Sequence, residues 1–267
     1  MTRFSPRKMC ASVALLAALF ASYVHAKIPQ EARNADIVVL GEQHDNPDHH
    51  ARQAAWVAEL QPTEIVFEML TPSQTGDWKP WTTQEELDEI LGWSKTYWPS
   101  FDMYFPIFAA APQARWRAAG LTRSDLQRHL QRPLSEYYLA ETFGLDQAVD
   151  AAEQAAREKL QADAHCGALP EDVLPLMVNA QRLRDVALAD AALIVLKHSG
   201  GPIVVITGNG HARADWGAPA FIAYAEPDVR VFTMAQGEEG NPVQGSFSLT
   251  LDAAAPKRGD PCAAFKQ

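Results

Sequence analysis

Short apolar runs, each bounded by turn residues, dominate the hydrophobic pattern of the chain. Three of them have the length and β-branched content of strands buried on both faces of a parallel sheet: ADIVVLG (35–41), EIVFEML (64–70) and PIVVITG (202–208). Four further segments predict additional short strands: QARWRAAGLTR (113–123), FIAYAE (221–226), RVFTMAQ (230–236) and SFSLTLD (246–252). The pattern is typical of an α/β protein.

Helices are predicted between these strands. After the first strand, Asn46 can cap a helix, Pro47 suits its first turn and Pro62 ends it, which makes a right-handed βαβ unit. Residues 71–112 predict an irregular, aromatic-rich helical insertion, and residues 124–199 are mostly helical. We therefore predict a central, mostly parallel sheet flanked by helices.

The first 26 residues have the pattern of a secretory signal peptide. Basic residues precede the apolar run ASVALLAALFASYV, and Val24-His25-Ala26 forms a small-residue cleavage site. We expect cleavage near Ala26, export to the periplasm or beyond, and one α/β domain over 27–267. The apolar run is short for a membrane span, so no stable anchor is expected in the mature chain; a retained anchor is the alternative.

Composition narrows the possible partners. The chain carries a formal net charge of −10, and its first 26 residues hold three basic residues and no acidic residue, so the mature charge is −13. An acidic chain without a basic cluster is a poor candidate for nucleic-acid binding. Cys166 and Cys262 remain after cleavage, and in an exported protein we expect them to form a disulfide; two free thiols are the alternative.

Ionisable residues follow three of the predicted strands. The first strand leads into Glu42 and His44, the second ends with Glu68, and the third leads into His211. Loops at the carboxyl ends of parallel strands meet at one edge of a sheet, so these four side chains are expected to converge on one cleft. The tetrapeptides GEQH (41–44) and GNGH (208–211) share a glycine that allows a sharp turn and a histidine.

Other polar residues have ordinary structural interpretations. His49 and His50 fall in the first helical turn, where the positive end of the helix favours a neutral imidazole, and at least one of them is expected to be solvated. Their spacing from the preceding histidine does not support a local metal site. Asp185 is expected to pair with Arg182 or Arg184 on its own helix.

Four stretches resemble the ChaN-like family, the haem-binding uptake branch of the Tiki superfamily: VVLGEQHDNPDHH (38–50), IVFEML (65–70), YFPIFAAA (104–111) and GNGHARADWGAPA (208–220). The resemblance covers about residues 35–225 and implies an exported, iron-linked haem binder that holds cofacial haems in a homodimer. It also implies a tyrosine ligand to each iron, with a histidine and a lysine on the propionates.

The haem hypothesis leads to a set of candidate cofactor-binding residues. Tyr104 and Tyr97, flanked by Trp98, Phe101 and Phe105, would make an aromatic pocket, and either phenol could ligate ferric iron. The remaining cofactor-binding candidates are Lys95, His49, His50 and Arg213, and Lys95 or a histidine would hold the propionates.

The rival hypothesis is a hydrolase, as in other branches of the superfamily. His44 would act as base or ligand, Glu42 and Glu68 as acid/base or orienting groups, and His211 as a second base or ligand. A divalent ion such as Mn, Co or Zn would be held by His44, Glu68 and His211. No G-x-S-x-G motif occurs in the sequence, which excludes the usual serine hydrolase. Non-enzymatic haem or iron binding is the leading hypothesis.

Overall fold

A seven-stranded sheet lies at the centre of the computed structural model, which describes residues 27–77 and 82–263. The strands in chain order are β1 Ile37–Glu42, β2 Glu64–Phe67, β3 Gly76–Asp77, β4 Arg115–Ala118, β5 Ile203–Gly208, β6 Val231–Glu238 and β7 Leu249–Ala253. Their order in the sheet is β3-β4-β2-β5-β1-β6-β7. All neighbours pair in parallel except the two-residue β3, which runs antiparallel to β4.

Helices cover both faces of the sheet. In the described residues they are α1 Gln30–Arg33, α2 Pro47–Leu60, α3 Gln84–Leu91, α4 Phe101–Ala110, α5 Arg123–His129, α6 Ala140–Phe143, α7 Ala151–Ala164, α8 Leu174–Ser199 and α9 Ala218–Ala225. The predicted α/β class, with a mostly parallel sheet flanked by helices, is confirmed. The helical character of 71–112 is also confirmed, because α3 and α4 lie there.

Alternate residues of the central strand β1 separate two hydrophobic cores. Val38 and Leu40 belong to the core that contains Trp56 of α2 and Phe108 of α4. The intervening residues, Ile37 and Val39, belong to the core formed with α8 and α9. Because successive side chains of a strand point to opposite faces, a strand covered by helices on both sides is apolar throughout. Burial on both faces therefore explains the continuous apolar run that predicted β1.

One predicted strand is wrong. Residues 221–225 belong to α9, which has Pro219 in its first turn and packs against α8 and β6. A short apolar run has the same composition in a buried helix as in a buried strand, so its periodicity did not separate the two. The weaker prediction of a strand within 113–123 is confirmed by β4.

A predicted helix cap and a predicted disulfide are both present in the structure. Asn46 caps α2 by accepting backbone hydrogen bonds from Asp48 and His49, as its position predicted. The expected disulfide between Cys166 and Cys262 is present, and it joins the end of α7 to the C-terminal segment.

The predicted signal peptide lies outside the described residues. Within the described residues, no helix is long and apolar enough to cross a bilayer.

Candidate functional site

The carboxyl ends of three adjacent strands form the floor of a cavity. Glu42 ends β1 opposite Gly208 at the end of β5, and Glu68 directly follows β2 on the other side of β5. His44 and His211 follow in the adjoining loops, and all five residues line a cavity of about 470 Å³. The structure therefore brings together the four ionisable residues that the strand ends predicted.

Glycine is required where the two G-x-x-H loops approach each other. A Cβ atom on Gly208 would lie 3.0 Å from Nε2 of His44. A Cβ atom on Gly41 would lie 2.6 Å from the side-chain oxygen of Asn209 and 2.9 Å from the carbonyl oxygen of Met234. The small residues thus let the first histidine reach the end of the neighbouring strand.

Glu42 is the buried centre of the first polar network. Its Oε1 accepts a hydrogen bond of 2.6 Å from the Tyr104 hydroxyl and lies 2.7 Å from Nδ1 of His44. Its Oε2 lies 3.3 Å from Nδ1 of His50 and has no hydrogen-bond partner among the described residues. A carboxylate at this depth depends on these neighbours to compensate for lost hydration.

The contacts of the first network favour the charged forms of Glu42 and His44. Burial alone would raise the pKa of Glu42, but the charge of His50 and the hydrogen bond from His44 hold it well below its usual value. Burial opposes the charged form of His44 as well, yet the Glu42 hydrogen bond and the charge of Glu68 raise the pKa of this imidazole to about 9. At neutral pH, His44 is therefore an imidazolium paired with a carboxylate.

A second network joins Asp185 of α8 to the same cavity. Its Oδ1 lies 2.6 Å from Nδ1 of His211, so the expected ion pair with Arg182 or Arg184 is wrong. Burial lowers the pKa of His211, but the charges of Asp185 and Glu68 outweigh this effect and raise it. The residue spacing on α8 could not reveal this contact, because the partner lies 26 residues further along the chain.

Glu68 connects the second network to the sheet. Its Oε2 accepts hydrogen bonds of 2.7 Å from the Thr207 hydroxyl and 2.8 Å from the Gly208 backbone, and its Oε1 lies 3.7 Å from Nε2 of His211. Burial raises its pKa, but the charges of His211 and His44 and these hydrogen bonds lower it overall. Both histidines at the cavity therefore have carboxylate neighbours that stabilise their protonated forms.

The wall opposite the loops consists of α7 and α8, which the sequence did not assign to the site. The lining residues of these helices are Arg157, Leu160, Gln161, Ala164, Met177, Val178, Gln181, Arg184, Asp185 and Leu188. On α8 they recur at spacings of three and four, so one helix face is turned toward the cavity. That periodicity was visible in the sequence, but it did not indicate whether the face met a cavity or a core.

Comparison with known proteins gives the family. Residues 28–222 match the family model described as haem-binding uptake, Tiki superfamily, ChaN. The chain belongs to this family. The resemblance inferred from the sequence motifs is thereby confirmed, and the family supports haem binding and uptake at the family level. The search of curated proteins found no match.

A solved structure with a TM-score above 0.5 shows a similar fold. ChaN of Campylobacter jejuni, in a structure of cofacial haem binding, has a TM-score of 0.63 and 18% sequence identity, covering 82% of this chain and 88% of that chain. The type III effector HopBA1 has a TM-score of 0.44 at 10% identity, with coverage of 84% and 90%. A succinoglycan biosynthesis protein has a TM-score of 0.38 at 16% identity, with coverage of 78% and 67%.

The two candidate tyrosines of this ChaN family member occupy opposite environments. Tyr104 is fully buried, and burial together with the nearby Glu42 carboxylate raises its pKa far above the ordinary value. Tyr97 is 86% exposed and lines the cavity beside Trp98. Trp98 in turn contacts the ring of His44, with ring centroids 4.9 Å apart. The loop before α4 thus carries an aromatic rim, whereas Tyr104 supports the floor.

The two adjacent histidines lie beneath the cavity. Both His49 and His50 are fully buried, so the expectation that at least one of them is solvated is wrong. Nδ1 of His49 accepts a hydrogen bond from the Gln43 backbone, its Nε2 lies 3.2 Å from the Gly237 carbonyl, and burial lowers its pKa. Nε2 of His50 lies 2.8 Å from the His44 carbonyl. These contacts hold the GEQH loop; neither histidine lines the cavity.

The remaining candidates lie apart from the cavity. Lys95 is exposed on the turn before the aromatic rim and does not line the cavity. Arg213 is buried, with its guanidinium bound to Asp215 at 2.6 Å and placed 3.4 Å from the centre of the Trp216 ring. It lines a second cavity of about 350 Å³. Within 27–77 and 82–263, no group of three His, Cys, Asp or Glu side chains is placed to hold a metal ion.

Proposed function

We propose that this chain binds haem in the cavity at the carboxyl edge of the sheet, with Tyr97 as the axial ligand to ferric iron. The observation that carries the proposal is an exposed phenol on the rim of a cavity in a member of a haem-binding family. The cavity volume of about 470 Å³ falls in the range of small-molecule sites. Tyrosine is an established protein ligand of haem iron.

Tyr97 suits the iron better than Tyr104 does. A phenol binds ferric iron as the phenolate, and the Tyr104 hydroxyl donates a hydrogen bond to Glu42, so its burial and the charge of Glu42 both oppose ionisation. Tyr97 is exposed, so it can turn toward a ligand without disturbing the core. Its neighbour Trp98, with ring centroids 4.9 Å away, offers an apolar face to a porphyrin.

The residues beneath the rim would orient the ligand and exclude water. His44, held by Glu42, presents the edge of its ring next to Trp98, and the α8 wall contributes Met177 and Leu188. Haem, when bound, would supply a ferric iron that accepts an oxygen ligand. The side chains of this chain supply the apolar surfaces and the axial oxygen.

We further propose that the protein is exported and that it dimerises around its ligand. The disulfide between Cys166 and Cys262 suits an oxidising compartment. The Campylobacter jejuni protein binds haem cofacially, an arrangement that a homodimer of this chain would reproduce. Cell fractionation followed by mass spectrometry of the purified protein tests export and cleavage near Ala26. Light scattering with and without hemin tests dimer formation.

Hemin titration tests the haem site. We expect the wild-type protein to shift the Soret band with saturation, and Tyr97→Phe to abolish the tyrosinate spectrum. Tyr104→Phe is the matched control, because it removes the same hydroxyl from a buried position. No saturable Soret shift in the wild type would contradict haem binding. An unchanged spectrum in Tyr97→Phe would contradict the choice of ligand alone.

The paired networks favour a hydrolase as the second candidate. Glu42 orients His44, and Asp185 orients His211, so two histidine–carboxylate pairs face one cavity, as acid–base catalysis requires. Turnover of ester and peptide substrates would be measured with and without added Mn, Co or Zn. Activity that disappears in a His44→Ala/His211→Ala double variant would support this function, and the absence of turnover under all conditions would contradict it.

A further inference from the structure

We infer that Arg184 is a carboxylate-binding residue of the cavity and that it holds a propionate group of the porphyrin; this inference rests on the proposed haem-binding function. Arg184 lies on the cavity-facing side of α8, half-buried, beside Asp185. It differs from every residue considered above for the propionates, because it lines the same cavity as Tyr97.

The other charged groups of the cavity already have partners. Glu42 is bound by His44, Asp185 by His211, and Glu68 by a hydroxyl and a backbone amide. Arg157 forms an ion pair with Glu153 and hydrogen-bonds the Trp216 carbonyl. Arg184 differs from these charged residues of the cavity, because it forms neither a hydrogen bond nor an ion pair with the described part of the chain.

The surroundings of Arg184 favour an anionic ligand. Of the three carboxylates that line the cavity, Glu42 lies beside His44, whereas Glu68 and Asp185 share His211, so the two imidazoles offset part of their negative charge. Arg157, the other arginine that lines the cavity, is already paired with Glu153. A ligand carboxylate would find the Arg184 guanidinium with its planar set of donors available.

The position of Arg184 also suits an amphiphilic porphyrin. Met177 and Leu188 occupy the same face of α8 and are apolar, so an apolar ring could lie along this face while its carboxylate reaches the arginine. The aromatic rim of Tyr97 and Trp98 lines the same cavity. The cavity therefore combines two apolar walls with one unpaired cation, as a flat ligand with acidic substituents requires.

The test compares hemin with its dimethyl ester, which keeps the iron and the ring but lacks both negative charges. Titrations would use the wild type, Arg184→Gln, Arg184→Lys and the control Lys197→Gln. Lys197 lies on the same helix, is exposed and does not line the cavity, so its substitution changes the net charge equally. Urea unfolding of each variant checks that the fold is retained.

We expect Arg184→Gln to raise the Kd for hemin about tenfold or more, since it removes a charge-assisted hydrogen bond. Arg184→Lys should recover part of the loss, Lys197→Gln should behave as the wild type, and the ester should bind all four proteins alike. Equal hemin affinity in Arg184→Gln and the wild type would overturn the carboxylate site while leaving haem binding intact. Equal weakening for hemin and the ester would overturn it too. A wild type that binds neither ligand would refute haem binding itself, and the carboxylate site with it.

Discussion

Replacing Tyr104 by phenylalanine isolates the contribution of one buried hydroxyl. The ring packs against Trp93 and His50, with centroids 4.5 Å and 4.2 Å away, and phenylalanine keeps both contacts. Only the hydrogen bond of 2.6 Å to Glu42 is lost. Because the carboxylate is fully buried, solvent cannot replace the missing donor without rearrangement of the core.

The expected cost follows from the charge of the acceptor. Hydrogen bonds to charged groups contribute about 1.5–3 kcal/mol, so we expect the free energy of unfolding to fall by about 2 kcal/mol. For a domain of this size that change lowers the Tm by about 4–8 °C. Glu42 retains His44 as a partner on the same oxygen, so we expect the variant to fold.

Urea unfolding at about pH 7, followed by tryptophan fluorescence, measures the change as a shift in midpoint at constant slope. Tyr224→Phe is the control, because Tyr224 is 54% exposed and loses the same atom at the surface. We expect its stability to stay within about 0.5 kcal/mol of the wild type.

Two results would refute this reasoning. Equal stability of Tyr104→Phe and the wild type would mean that the hydroxyl does not support the buried carboxylate. Loss of the hemin spectrum in a folded Tyr104→Phe variant would mean that Tyr104, rather than the exposed tyrosine of the rim, reaches the ligand.

Three further predictions follow from the charged networks and the disulfide. The pKa of His44 is raised from 6.5 to about 9, so the contribution of His44 to stability is complete below pH 6.5 and is lost as the pH rises through about 9. In urea unfolding, His44→Gln should therefore cost more stability at about pH 6 than at about pH 10. Equal costs at the two pH values would contradict the ion pair. Asp185→Asn should lower the pKa of His211, measured by NMR titration, and an unchanged pKa would contradict their pairing. Replacing Cys166 and Cys262 by serine should cost about 3 kcal/mol and make unfolding insensitive to reductant, whereas a wild type already insensitive to reductant would show that the bond does not form.

Much of the fold could be predicted from the local pattern of apolar and polar residues in the sequence. The strands β1, β2 and β5 are buried on both faces, and apolar side chains fill most of their positions, so their sequences are distinctive. Parallel strands place their carboxyl ends at one edge, which is why Glu42, Glu68 and His211 could be grouped before any contact was known. The aromatic pocket was predicted with Tyr97 and Tyr104 together, whereas the structure leaves Tyr97 on the rim and buries Tyr104.

The sequence by itself determined which residues of this protein are apolar enough for the sheet and which ionisable residues follow the strands. Only the tertiary structure decided that Asp185 pairs with His211, that His49 is buried, and that Tyr104 supports the floor while Tyr97 stays exposed. The physical reason is that the solvation and charge of a side chain depend on neighbours contributed by distant segments. The packing of α8 against the sheet, of α7 against α8 and of α4 against α2 fixes those neighbours, and the spacing of residues along the chain does not specify them.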